Sequence, residues 1–541
     1  MVINVKGDNL ILTFKYDPKL VEAVRSVPGR IFEVKNKRWI VPVENIAECL
    51  EILVPWGFQP TLEVKRLAEE KRALWAKYEE IRANPGKYEG NLPLFEFQKV
   101  GAAFLHAMPG ALLADAPGLG KTLQVIASSG ECEKILVFCP ASLKYSWEAE
   151  IKKWAPNETV VVVDGFPANR KKLWRGNEKW VIANYELILR DFHDIMAVNW
   201  CSIVCDEATR ISNSTTKTAR LIKVLNCKRK IALTGTPISN TPLDIYSIID
   251  WIAPHYFGNF YQFKEKYCEI EPRFNRVTGY KNLGELAAKV NRFLLRRTKE
   301  EVLKDFPPKV VEDIVFDLND REKEFYKAIK SQILEELKGT EFNKITLGII
   351  PVKMLRLKQA TNHPKLLGKE DLEPTKLETL MEILRPIVAS GEKTIIFSQF
   401  AEMAKILAYR LERDTPIIYG EVPTEERQRI VEKFNTDPAA KFLVMTEAGA
   451  YGLNLQGASY VIHYDLPWSV AKLQQREDRA HRIGQTKPVT VYNLIAKNTI
   501  DEYVAKVLHK KQKTSVEILG DDDRLEAAGF SEEDIQNILR L

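Results

Sequence analysis

Two stretches of this sequence carry residue types suited to phosphate chemistry. The first runs Asp115-Ala116-Pro117-Gly118-Leu119-Gly120-Lys121-Thr122, and the second is the acidic pair Asp206-Glu207. Gly118 and Gly120, on either side of Leu119, lack the side chains that would hold phosphate oxygens away from backbone N–H groups. At a helix start those N–H groups carry partial positive charge and favour an anion. Lys121 would reach the β- and γ-phosphates of ATP, and the Thr122 hydroxyl would ligate Mg2+. Asp206 would hold that metal, directly or through water, and Glu207 would polarise the attacking water. One residue departs from the strict loop pattern, because Asp115 stands where glycine is usual. Acidic pairs end strands by chance and glycine-rich turns are common, so neither stretch is specific alone. Their order along the chain favours the phosphate reading.

The elements that must position these residues follow from the apolar pattern. Ala111 to Ala114 precedes the glycine loop and LQVIASS follows it, which suits a strand, a phosphate loop and a helix. The acidic pair ends a second apolar run, Cys201 to Cys205. From Leu92 onward, ILVFCP, VVVVDG, WVIANYE, SIVCDEA and KIALTGT alternate with helical patterns. A second series, TIIFSQF, PIIYG, FLVMTEA, YVIHYD and VTVYNLI, begins near Thr394. Residues 300–370 read as helical and charged, with no strong strand series. The fold class is α/β, with two lobes of parallel sheet flanked by helices. The expected layout is a small α+β module at 1–60, a helical linker at 61–91, a first lobe at 92–299, a helical region at 300–370, a second lobe at 371–520 and a short acidic helix at 521–541.

Within the first 60 residues, LILTF alternates as a half-buried strand after a Gly7-Asp8-Asn9 turn. Asp17-Pro18 opens a short helix, RIFEV and RWIVPV flank a KNK turn, and Ile46 to Leu53 is helical. Arg30, Lys35, Lys37, Arg38 and Trp39 surround that hairpin. Two readings stand: phosphate contact with base or sugar stacking, or a solvated hairpin tip with Trp39 in the core.

Bulk composition excludes some classes and decides little else. The 541 residues are 45% apolar and 28% charged, as in a globular protein with ample core for several domains. No apolar stretch is long enough for a transmembrane helix, and the N-terminus lacks a signal-peptide pattern, so an intracellular protein without membrane contact is expected. The seven cysteines form no C-x-x-C pair and read as reduced structural thiols, and the seven histidines suggest no metal site. A net charge of +6 permits a local basic groove for nucleic acid without arguing for one.

Three further constellations bear on the chemistry. In QREDRAHRIGQ, Arg479 and Arg482 lie three apart, hence on one helical face. They suit the transition-state charge of a γ-phosphate, or else a basic surface helix pairing with Glu477 and Asp478. Gln98 offers the donor and acceptor that match an adenine edge. LTGTPISN supplies small hydroxylated residues after a strand, suited to couple a nucleotide cleft to a second ligand, or forms an ordinary turn.

Taken together, Gln98, DAPGLGKT, FCPASLKYSW, DEAT, LTGTPISN, FLLRRTKEEVL, LRLKQATNHP, IIFSQF, MTEAGAYGLNL and DRAHRIGQ resemble, in this order, the Swi/Snf-type DNA translocases of superfamily 2. That family also has Asp at the Asp115 position. The resemblance covers roughly residues 92 to 510, and residues 1–60 are similar to the HARP-like domain of annealing helicases, which rewind or regress branched DNA. It implies two RecA-like lobes with ATP and Mg2+ between them, and closure that brings Arg479 and Arg482 onto the γ-phosphate. It also implies backbone contacts to DNA from the segments holding Pro140, Ser142 and Trp147, then Asn184 and Tyr185, then Ser398, Thr446 and Trp468, which track a duplex without reading sequence. Two positions depart from the family: Thr209 replaces the usual His after the acidic pair, and Ala450 replaces a glycine.

The expected function is an ATP-dependent translocase on double-stranded DNA, acting on branched DNA or single-strand/duplex junctions. Its rivals are a strand-separating helicase, an RNA-directed motor and a non-hydrolysing DNA-binding scaffold. No chromatin-reading segment is evident, and the build suits a bacterium or phage, acting in the cytoplasm or nucleoid (the nucleus, if eukaryotic).

Overall fold

The alternating apolar runs fold as parallel strands. The computed structural model describes residues 1–235, 237, 242–271, 276–303, 306–337, 349–412, 414–447 and 453–519. The chain divides into unit 1, mainly Met1–Ala116 and Gly120–Thr298, and unit 2, mainly Lys299–Val516.

Unit 1 begins with the α+β module: β1 (Val2–Lys6), β2 (Asn9–Thr13), α1 (Pro18–Arg25), β3 (Ile31–Glu33), β4 (Arg38–Pro42), α2 (Ile46–Leu53) and β5 (Gln59–Pro60). The sheet order is β3-β4-β2-β1-β5. Period-two alternation sends Ile3, Leu10, Leu12 and Val41 inward, where Val24, Cys49 and Leu53 from the helices meet them. Asp17 caps α1 by accepting from the Lys19 N–H at 2.8 Å, with Pro18 in the first turn. Helix α3 (Leu62–Ala83) starts at a Thr61 cap. Trp75 on α3 packs its ring 5.2 Å from Tyr256 and 5.8 Å from Phe293, and Glu79 pairs with Arg292 at 2.7 Å. These contacts fasten α3 to the body of unit 1.

That body is built on β6 (Gly110–Leu113), β7 (Ile135–Cys139), β8 (Val160–Val162), β9 (Trp180–Asn184), β10 (Trp200–Asp206) and β11 (Cys227–Leu233). A hairpin of β12 (Cys268–Glu271) and β13 (Arg276–Tyr280) precedes the short β14 (Leu294–Leu295). The seven-stranded order is β14-β6-β11-β10-β7-β9-β8, parallel throughout. Every residue of β6 and β7 is buried, because helices cover both faces of such a sheet. Unit 2 carries β15 (Lys309–Phe316), β16 (Thr394–Phe397), β17 (Ile417–Ile418), β18 (Phe442–Met445), β19 (Tyr460–His463) and β20 (Val489–Ala496). They form a parallel sheet in the order β15-β20-β19-β16-β18-β17. The α/β architecture is thus the expected one, two parallel-sheet lobes of RecA-like type preceded by an α+β module.

Two expectations are corrected. Residues 300–370 contain β15, an eight-residue strand in full register with β20. It sits at the sheet edge with much of its length exposed, and Glu312 and Asp313 interrupt the apolar signal that marks a central strand. The cysteines are not all reduced: Cys132 and Cys201 form a disulfide with Cα atoms 5.7 Å apart. The start of β10 runs beside the turn after the phosphate-loop helix, with Cys201 N–H donating to Lys134 O at 2.9 Å. The other five cysteines are free. The expected helix at 521–541, Ala450 and most of the TPISN turn lie outside the described residues. Among the described residues no helix is long and apolar enough to cross a membrane.

Candidate nucleotide site

The glycine loop joins the end of β6 to α5 (Lys121–Ser128), whose first turn presents Lys121 and Thr122. Gly118 and Gly120 adopt left-handed φ values of +86° and +74°, which a side chain would resist. A Cβ on Gly120 would also lie 2.4 Å from Gln98 Nε2. The loop backbone and the Gln98 amide, carried on helix α4 (Glu96–Ala107), are therefore packed face to face. Gln98 is buried, and its Oε1 accepts from the Phe95 N–H at 3.0 Å, so the amide is held in place. Leu119, between the two glycines, is fully buried. Lys121 Nζ donates to the Asp115 carbonyl at 2.8 Å. The Asp115 carboxylate is buried and accepts from Arg297 and Gln124.

Asp206 ends β10, and its carboxylate is gripped by neutral donors. Trp147 Nε1 donates to Oδ2 at 2.8 Å and the Glu207 N–H to Oδ1 at 3.0 Å. Tyr185 donates its hydroxyl to the Asp206 carbonyl at 2.7 Å. Burial pushes the Asp206 carboxyl above its ordinary range, with the Trp147 hydrogen bond, the Lys121 charge and the Glu207 N–H opposing it. A divalent cation would supply the missing compensation, so the site fits a metal. Among the described residues no group of three His, Cys, Asp or Glu is placed to hold a metal on its own. Mg2+ matches that pattern, since it takes one or two protein ligands beside phosphates and water. Glu207 sits at φ +52°, a left-handed conformation that a non-glycine residue adopts at a cost of about 1–3 kcal/mol. Thr209 turns its hydroxyl back toward the Glu207 carbonyl, at 3.5 Å.

A glycine-loop strand–helix unit and a strand-end acidic pair thus share one sheet, and residues 39–366 match the SNF2-related domain. The chain belongs to the SNF2-related family. Residues 375–484 match the helicase conserved C-terminal domain. This SNF2-related chain is 32% identical over 487 residues to the uncharacterized ATP-dependent helicase MG018 of Mycoplasma genitalium, covering 85% of this chain and 46% of that protein. It is 32% identical over 438 residues to the putative ATP-dependent helicase/translocase YwqA of Bacillus subtilis, covering 76% and 46%. Among solved structures it is similar to the Sulfolobus solfataricus SWI2/SNF2 ATPase core in complex with dsDNA, at 32% identity, 85% of this chain, 99% of that chain and a TM-score of 0.40. The chain spans about half the length of the curated relatives it matches.

In unit 2 of this SNF2-related chain the arginines do not share a helix face. The helix Val470–Glu477 ends with Asp478 as its cap, so Arg479 and Arg482 lie in the turns beyond it. The helix stops because its final carboxylates are drawn into ion pairs: Glu477 with Lys309 at 2.7 Å, and Asp478 with Lys299. Neither pairs with Arg479 or Arg482 as a surface helix would have required. Gln485 then fixes the turn, donating to the carbonyls of Gln456, Ala458 and Ala480 at 3.1, 2.8 and 3.1 Å. Gly484, at φ +97°, leaves room for Gln456, whose Nε2 a Cβ would approach to 2.6 Å.

The residues expected to line DNA divide into two groups. Ser142 and Asn184 are partly exposed, and Asn184 donates to Glu186 at 2.6 Å. Trp147 and Tyr185 are buried, and both donate hydrogen bonds to Asp206. Ser398 is fully buried, and its hydroxyl donates to Asp465 at 2.6 Å. Asp465 also accepts from the Gln399 N–H at 2.9 Å and from Asn362 at 2.8 Å, so it organises the whole segment. Thr446 is buried at the end of β18. Trp468 is half-buried, with Lys358 Nζ 4.6 Å from its ring. In the hairpin, Lys37 is exposed at φ +48°, Arg38 pairs with Glu33 at 2.5 Å, and Lys35 lies in the turn Val34–Asn36. Neither Asp465 nor Trp147's bond to Asp206 was visible in the sequence, because both depend on strands distant in the chain.

Proposed function

We propose that this protein is an ATP-dependent translocase on double-stranded DNA that acts on branched or junction DNA. The observation that carries the reading is the placement in unit 1 of Lys121 at the start of α5, Gln98 on α4 and the Asp206-Glu207 pair at the end of β10, from one sheet and its helices. Gln98 orients the adenine, the loop N–H groups and Lys121 hold the phosphates, and Thr122 and Asp206 take Mg2+. Mg2+, when bound, neutralises charge on the phosphate oxygens. Glu207 accepts a proton from the attacking water, and Arg479 and Arg482 of unit 2 stabilise charge that develops as the γ-phosphoryl bond breaks. Dependence on arginines from a second unit makes hydrolysis conditional on a domain movement, which is how ATP drives tracking.

Duplex contact falls to Ser142, Asn184, Trp468 and the backbone around Trp147, Tyr185, Ser398 and Thr446. Substrate choice falls to the module at residues 1–60, read as HARP-like. Its β3–β4 hairpin presents Phe32 at 44% exposure, tilted against Trp39 with ring centroids 5.1 Å apart, and carries the exposed Lys37 at its turn. An exposed ring next to cations suits an unpaired base at a junction. The naming of relatives as helicases and translocases supports an ATP-driven motor, in a compartment that holds DNA.

Steady-state ATP hydrolysis without DNA, with single strands, with duplex and with a model fork tests this. Stimulation by duplex, greater with a fork, is expected; deleting residues 1–60 removes the fork preference and spares the duplex effect. Stimulation by single strands alone, with strand displacement, makes the protein a helicase instead. No turnover on any DNA leaves only a scaffold.

A further inference from the structure

Arg297 belongs to the RRTK segment, and nothing above gives it a task. It follows β14, and its side chain reaches three separate parts of the nucleotide site. Nε and Nη2 donate to the Asp115 carboxylate at 2.9 and 2.6 Å. Nη2 also donates to Gln124 Oε1 at 2.8 Å, and Nη1 donates to the Phe97 carbonyl. The guanidinium stands 5.2 Å from the Phe97 ring centroid. Gln124 closes the cycle by donating from Nε2 to Asp115 Oδ2 at 3.0 Å. The Arg297 carbonyl also accepts from the Ala116 N–H at 2.9 Å, so backbone and side chain grip the loop together.

Each contacted element carries one part of the site. Phe97 precedes Gln98 on α4, Asp115 begins the phosphate loop, and Gln124 lies one turn beyond Lys121 on α5. Asp115 and Gln124 are fully buried, so these bonds are shielded from water. Space for them is made by Gly101, where a Cβ would stand 1.7 Å from Gln124 Oε1 and 2.7 Å from Arg297 Nη2. The arrangement also accounts for a carboxylate in a loop that must hold polyanions. Bidentate pairing with Arg297 neutralises Asp115, so its carboxylate does not repel a phosphate held by the loop.

We infer that Arg297 is a positioning residue for the nucleotide. Through Asp115, Gln124 and Phe97 it sets the spacing between the adenine-reading amide and the phosphate loop. The inference rests on the ATP reading given above. Lysine would keep the charge but lose the planar fork that satisfies three partners at once, so it should not substitute.

The test measures KM for ATP, kcat and duplex affinity in the full chain for wild type, Arg297→Ala, Arg297→Lys and Asp115→Asn, with thermal melting as the check on folding. Both arginine variants should raise KM about tenfold while kcat and duplex affinity change less than about threefold. Asp115→Asn, which keeps the shape and one acceptor, should raise KM by a smaller factor, and it carries the test if Arg297→Ala fails to fold. An unchanged KM in the folded variants overturns the inference, as does full rescue by lysine, which would leave only charge at work. A fall in kcat and melting temperature with KM constant also overturns it, since that is the mark of a purely structural residue. Failure of the wild type itself to hydrolyse ATP overturns the ATP reading first, and this inference with it.

Discussion

Asp206 in unit 1 and Glu477 in unit 2 are carboxylates that folding removes from water, and their acidities move in opposite directions. For both, burial raises the pKa. At Asp206 the main opposing bond comes from the neutral indole of Trp147, and burial wins. At Glu477 burial loses to the charge of Lys309, 2.7 Å away, with His463 adding to it, and the pKa falls to about 2. The difference separates two uses of a buried charge. Glu477 is compensated from within the protein and fixes the turn that carries Arg479 and Arg482. At Asp206 burial outweighs its compensation, which suits the proposed role of holding a cation.

Substitutions that exchange these two conditions should break the contrast. The largest effect is expected for Lys309→Ala, which strands Glu477 and should destabilise unit 2 by about 3 kcal/mol or more, read as a lower denaturant midpoint. Asp206→Asn, by contrast, should leave the melting temperature unchanged or raise it. Acid should act next. Glu477 has a folded pKa of about 2 against an ordinary 4.5. The stability it contributes is complete above pH 4.5 and is lost as pH falls toward 2, on the order of 3 kcal/mol. Glu477→Gln should flatten that part of an acid titration of unfolding free energy. Third, Asp206→Asn should lower ATP turnover about 100-fold, equivalent to about 2.7 kcal/mol, in a steady-state assay. The smallest effect belongs to Trp147→Phe. Losing one neutral donor, worth about 1 kcal/mol, should move the acid limb of the turnover profile to higher pH by less than one unit.

The parts of the molecule readable in advance were those encoded locally. Apolar runs such as ILVFC and TIIF became central strands because a parallel sheet buries both faces, and the Asp17-Pro18 cap fixed the start of α1. The edge strand β15 was hidden by its charges, and the Cys132–Cys201 disulfide by the 69 residues between its partners. In the candidate site, the placement of Lys121 and Thr122 at the start of α5 and of Asp206 at the end of β10 was legible, because it follows from the local apolar pattern. Trp147, Asp465 and Arg297 were not, because each acts on an atom far away in the chain. The helical spacing of Arg479 and Arg482 misled for a related reason, since the ion pairs of Glu477 and Asp478 end the helix before either arginine.

In the proposed mechanism Asp206 holds the metal and Glu207 activates water, in a site that hydrolyses ATP when duplex DNA is present. Glu207→Gln, measured for equilibrium binding of ATP with Mg2+ and for steady-state turnover with duplex DNA, tests it most directly. Binding should stay close to wild type, and turnover should fall about 100-fold or more. Turnover equal to wild type would contradict it, and Lys121→Ala, which should lose binding and turnover together, marks the floor of the assay.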